Sequence, residues 1–204
     1  SPNSDYDRHF FDRAVATESI KGKGVIDKHR KGFGASLVGV REQRPERAEE
    51  LARFPKRGMH LPVSLTIGRI ETVEDTQVVS VALLDPVQSQ SVDVGGRRYP
   101  LAADFSAPME LILKGRNEVI CGLEGFFDAK DRIKESGIFL MEPYDPDRIP
   151  VILTHGLISV PIIWRDIIPE FLSEPEIAKR YQFMAFTYPS SFPIPESAQL
   201  FRQE

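Results

Sequence analysis

"PVILTHGL", residues 150–157, sets three consecutive apolar side chains, Val151, Ile152 and Leu153, ahead of a Thr-His-Gly turn. An unbroken apolar run predicts a strand covered on both faces, as in a parallel sheet. Downstream, Ser159 and Pro161 predict a helix start. Ile163, Ile167 and Phe171 recur at a four-residue spacing, as do Trp164, Ile168 and Leu172, so the two rows form one apolar helix face. Pro169 predicts a kink or break near residues 166–168. "YQFMAFTYP" then reads as a second buried strand, stopped by Pro189. Strand, helix and strand over residues 150–188 predict a right-handed parallel βαβ unit.

Working back from there, "GIFLM" predicts a strand over residues 138–141, and "EPYDPD" at 142–147 a Pro/Asp turn. Three carboxylates lie close together in that turn and could hold a cation, although chain direction alone accounts for the composition. "LPVSLTIGRI" from Leu61 alternates Val63, Leu65 and Ile67 with small or polar residues, the period-two pattern of a half-buried strand. "TQVVSVALLD" predicts a second strand, and Gly95-Gly96 a hairpin turn between extended flanks. Residues 61–101 therefore predict a small antiparallel β unit. Residues 107–114 fit a helix or a strand equally. Earlier still, two helices are predicted, one near residues 6–17 on the stripe Phe10, Phe11, Ala14 and Val15, the other near residues 45–54. "GFGASLVGV" between them predicts a short strand entering the core.

The chain has 204 residues, with an apolar fraction of 41% and a charged fraction of 27%, values ordinary for a globular protein. Its formal net charge of -4 argues against nucleic acid as partner, because phosphate binding needs clustered Lys and Arg. The basic residues between Lys21 and Lys31 form a local, solvated patch. Cys121 is the sole cysteine, so no internal disulfide can form. No window reaches the roughly 20 apolar residues of a membrane-spanning helix. The chain begins at Ser1 rather than Met, which implies a trimmed N-terminus from which any signal segment has been lost.

"DRIPVILTHGL", the helix carrying Trp164, and "PEIAKRYQFMAFTYPSSFPIPESAQLFRQ" together resemble the opening of an α/β-hydrolase domain of the lipase/esterase kind. The resemblance covers about residues 136–204, and residues 1–135 carry none. It implies that the strand before His155 lies centrally in the sheet. It also implies that the loop after it supplies one backbone N–H of an oxyanion hole, that of Leu157. Gly156 would permit close backbone approach to the reacting carbonyl. His155 would shape the loop by hydrogen bonding and would not act as catalytic base.

The same resemblance requires a Gly-x-Ser-x-Gly elbow followed by an acid and a histidine. No such elbow occurs in the chain. "GASLVG" at residues 34–39 is one residue too long and lies before the His-Gly strand, so Ser36 reads as structural. Ser190 and Ser191 lie in a Pro-flanked loop without the glycines. His9, His29 and His60 fall in polar segments without ligand spacing and read as surface residues.

The expected fold class is therefore α/β, a partial α/β-hydrolase sheet over residues 136–204, preceded by an α+β region over residues 1–135 with a small antiparallel β unit. The expected function is the N-terminal portion of a serine ester hydrolase, with an ester or lipid substrate and no metal or cofactor. It would stop before the nucleophile and be inactive alone. A cell-envelope or secreted location, with a membrane surface as a further partner, fits that reading. The alternative is a non-catalytic binding or membrane-associating module that uses the β unit at 61–101.

Overall fold

A computed structural model describes residues 5–20, 26–113, 136–156, 161–189 and 192–204. Its largest sheet is antiparallel, in the order β1-β3-β4-β5, built from Arg13–Ala16 (β1), Ala35–Arg41 (β3), Met59–Val73 (β4) and Thr76–Leu84 (β5). The β4–β5 hairpin turns at Glu74 and Asp75, both at positive φ (47° and 62°), as a two-residue hairpin of matching twist requires. A bulge between Ile67 and Ile70 breaks its register, with Gly68 inside it.

Period-two alternation gives this sheet two different coverings. One face buries Val38, Val40, Ala82 and Leu84 against Ile20, Ala107, Val92 and Leu101. The other sets Met59 and Leu61 against Leu51, Phe54 and the rings of Tyr6, Phe10 and Phe11. Those three rings form one cluster, with centroids 4.8–5.3 Å apart. A Cβ on Gly39 would lie 2.5 Å from the Phe11 ring, so glycine there lets the aromatic approach the sheet closely.

The helix expected over residues 6–17 is absent: turns lead into β1, whose partner in β3 is some 25 residues away. Pairing with β3 outweighs the local helical spacing of Phe10, Phe11, Ala14 and Val15. The helix expected over residues 45–54 is reduced to a 3-10 turn, Pro45–Arg47, and following turns.

Two small antiparallel pairs flank this sheet: His29–Arg30 (β2) with Ala103–Asp104 (β8), and Ser91–Val94 (β6) with Arg97–Pro100 (β7). Gly95 and Gly96 turn the second pair with φ of 57° and 75°. The strands of residues 61–101 are thus divided between two sheets. Helix α1, Ala107–Leu113, starts where the Asp104 carboxylate accepts the N–H groups of Ser106 and Ala107 at 3.0 and 2.9 Å.

Gly137–Leu140 (β9), Ile149–Thr154 (β10) and Tyr181–Thr187 (β11) make a three-stranded sheet in the order β10-β11-β9. β10 runs parallel to β11, and β9 runs antiparallel to it. The crossover holds a 3-10 segment, Pro161–Arg165, then α2 (Ile167–Ser173) and α3 (Pro175–Arg180). The break falls at Asp166, and Pro169 sits in the first turn of α2, where its missing N–H costs nothing. Helix α4, Ile194–Gln203, follows β11. This part rests on the first: the Leu140 N–H donates to the Arg53 carbonyl at 2.7 Å, and Arg53 pairs with Glu204 at 2.8 Å.

The expected α/β class does not hold. The described protein is mostly β, divided among several small antiparallel sheets, with β10–β11 the one parallel pair among its named strands. A parallel pair needs a crossover, and the described residues bring adjacent strands into parallel register across just one, over residues 155–180. Among the described strands the one before His155 is not central: β10 lies at the edge, with only Leu153 buried, and β11 takes the middle. Pro150 is tolerated in β10 because an edge strand has one side without a ladder to complete.

Candidate functional site

β10 ends at Thr154, and the chain turns with His155 buried and Gly156 exposed. The His155 ring is fixed by backbone on both nitrogens. Nδ1 lies 3.1 Å from the Gly156 carbonyl, and Nε2 accepts the Tyr188 N–H at 3.4 Å. These partners define the neutral tautomer with the proton on Nδ1. Burial pushes the imidazole below its ordinary pKa, which favours that neutral form. Tyr188, just past β11, stacks on the ring at 4.3 Å with 13° between the planes. Its hydroxyl donates to the His155 carbonyl at 2.6 Å.

Gly156 does not have a positive φ, and among the described residues nothing lies within 4 Å of a Cβ built on it. Among the described residues, then, nothing requires glycine at this position. Leu157, the expected oxyanion donor, lies outside the described residues, as do Ser159, Cys121, Ser190 and Ser191.

This loop borders a cavity of about 1080 Å³, at the upper end of small-molecule sites. Both parts of the chain line it. Phe54 and Met59 come from the first sheet and the loop before it, Met109 from α1, Ile168 and Leu172 from α2, and Phe183 from β11. Their side chains make one side apolar.

Another stretch of the wall is polar and largely neutralised. The Arg148 guanidinium holds Glu142 through two bonds, at 2.7 and 2.9 Å, and also donates to the Tyr181 carbonyl. Burial nevertheless pushes the Glu142 carboxyl above the usual range, against the pull of Arg148. Asp85 is raised by the same cause, while it accepts the Val87 N–H and the Tyr6 hydroxyl. "EPYDPD" is thus a turn in which Arg148 engages Glu142 and the Asp145 carboxylate accepts the Asp147 N–H at 3.0 Å. Among the described residues no cluster of His, Cys, Asp and Glu could hold a metal ion.

Compared with family models, curated proteins and solved structures, the chain matches none. Its chemistry has to be read from this site alone.

His9 and His29 are at the surface, but His60 is not. It lies buried in β4 on the cavity wall, with Nδ1 3.3 Å from the Gly58 carbonyl, and burial lowers its pKa. The reading of His60 as a surface residue in a polar segment failed because β4 is covered on both faces there. No described serine is hydrogen-bonded to His60 or His155, so neither histidine forms a nucleophile–base pair among these residues. Tyr188 was missed by sequence reasoning. Its one signal was its place at the end of the second apolar run, level with the His-Gly turn once the strands pair in parallel.

Proposed function

We propose that this chain binds the acyl portion of a carboxylic ester in the large cavity, within a protein that hydrolyses such esters. The observation that carries the reading is the junction of a mostly apolar cavity with the fixed turn at His155. An acyl chain would lie against Phe54, Met109, Leu172 and Phe183, with its ester carbonyl towards the turn. Backbone N–H donors beyond Gly156, that of Leu157 first, would then stabilise the developing oxyanion. His155 serves as a strut for the turn, since both its nitrogens are engaged. With no Gly-x-Ser-x-Gly elbow in its sequence, the chain by itself binds without turning over.

The experiment is displacement of a fluorescent fatty acid, cis-parinaric acid, from this chain by fatty-acid methyl esters. Saturable one-site binding that long-chain esters reverse supports the reading; absence of saturable binding overturns it. A second reading, a carrier without chemistry, is favoured by the lack of any described histidine–serine pair. Ester turnover abolished by a serine-directed phosphonate, in any form of the protein that includes this chain, excludes the carrier.

A further inference from the structure

The far half of the β4–β5 hairpin carries an uncovered aliphatic face. In the ladder Ile67 stands opposite Val81 and Ile70 opposite Val79, continuing the row of Leu65 and Leu83. Paired residues share a face, so these side chains form one surface. Ile67, Ile70 and Val81 are 58%, 61% and 59% exposed, and Val79 is 47% exposed. Nearer the core, the same face is covered by Phe10, Phe11 and Leu51 over Leu61 and Met59; that cover ends before Ile67. Further out the face continues with Thr72 opposite Gln77, so none of its paired positions from residue 65 to 72 is charged.

From this arrangement we infer that the hairpin is the contact surface for a second copy of this chain, stacked face to face across a two-fold axis. Four β-branched side chains offer roughly 400 Å² of aliphatic area, the size of the largest patch on a typical monomer, which is often a functional one. A stacked sheet would fill it with the same Ile and Val rows at the usual spacing of about 10 Å. Paired positions without charge can meet their own copies without burying an unpaired charge there. The charges select the orientation. Glu74 and Asp75 form the hairpin turn with Glu71 behind them, so an antiparallel stack keeps the two acidic turns apart, whereas a parallel one would join them. The same three acids outnumber the single Arg in the hairpin sequence, which disfavours an anionic bilayer as occupant. The area is about half of the roughly 800 Å² per partner in a stable interface, so the dimer forms in a concentration-dependent manner.

Sedimentation velocity from micromolar to near-millimolar protein tests this, with Ile70→Lys and Val81→Lys as variants. Both positions are exposed, and an unchanged thermal midpoint shows that each variant folds. The expected result is a wild-type mass rising towards twice the monomer while both variants remain monomeric. A wild type that stays monomeric throughout overturns the inference, as does a dimer that persists in both folded variants. Flotation of an otherwise monomeric wild type with phosphatidylcholine vesicles also overturns it, in favour of a membrane.

Discussion

Tyr188 holds His155 in two ways: its hydroxyl donates to the His155 carbonyl at 2.6 Å, and its ring stacks on the imidazole at 4.3 Å. Phe186 backs the tyrosine, with ring centroids 5.3 Å apart. The turn after β10 is therefore fixed by the end of β11. Tyr188→Phe keeps the stack and loses one hydrogen bond, so it should cost about 1 kcal/mol of unfolding free energy by chemical denaturation. Cis-parinaric acid affinity should fall several-fold with it. A neutral substitution on both measures would mean that the hydroxyl does not hold the turn.

The buried His155 gives stability a pH dependence of definite sign. Its folded pKa lies below the unfolded value of about 6.5, so the unfolded chain binds more protons as pH falls. The contribution is fully present above that value and is lost as pH falls through the window down to the depressed folded value. His60 acts in the same sense. Asp85 and Glu142, raised by burial, act oppositely: their contribution is present at low pH and is lost as pH rises through their folded values. Comparison with His155→Gln isolates the one histidine. Wild type should lose stability relative to this variant on acidification below pH ~6.5; a constant difference would show that His155 titrates normally.

Arg148 is almost fully buried and neutralises Glu142 through two bonds. Arg148→Ala strands a buried carboxyl and should cost about 3–5 kcal/mol in denaturant unfolding. The double substitution Glu142→Leu with Arg148→Met should recover most of that loss, because no charge then remains to be paired. If the double variant is no more stable than Arg148→Ala, the ion pair is not the source of the cost.

Gly58 leads the chain into β4 with φ +81°, and a Cβ there would lie 2.1 Å from the Arg41 carbonyl oxygen. Gly58→Ala combines a left-handed backbone with a clash against main chain, so it should destabilise by more than about 1 kcal/mol. Gly95→Ala meets nothing within 4 Å and bears only the dihedral cost. Thermal unfolding of the two should rank Gly58→Ala as the less stable.

Strands with period-two patterning were readable in advance, among them β4 and the Gly95-Gly96 hairpin, because alternation is local. The parallel pairing of β10 with β11 was also foreshadowed, by two apolar runs around a helical stripe. The number and direction of the other strands were not, since β9 joins β11 from some forty residues upstream and turns the sheet antiparallel on that side. β1 was hidden by a helical spacing that only its distant pairing with β3 overrides. The cavity had no signature at all: its wall runs from Tyr6 to Tyr188, and burial of His60 depends on packing from both halves.

The central claim is that this cavity receives an acyl chain, and cavity size is the variable that tests it. Ala185, buried in β11, and Leu172, on α2, both line the space. Ala185→Trp shortens it, and Leu172→Ala lengthens it. Affinity for a series of fatty-acid methyl esters should peak at shorter chains in the first variant and at longer chains in the second, relative to wild type. Saturable binding with opposite shifts is the predicted result. No saturable binding by wild type, or one unchanged optimum in all three proteins, would contradict it.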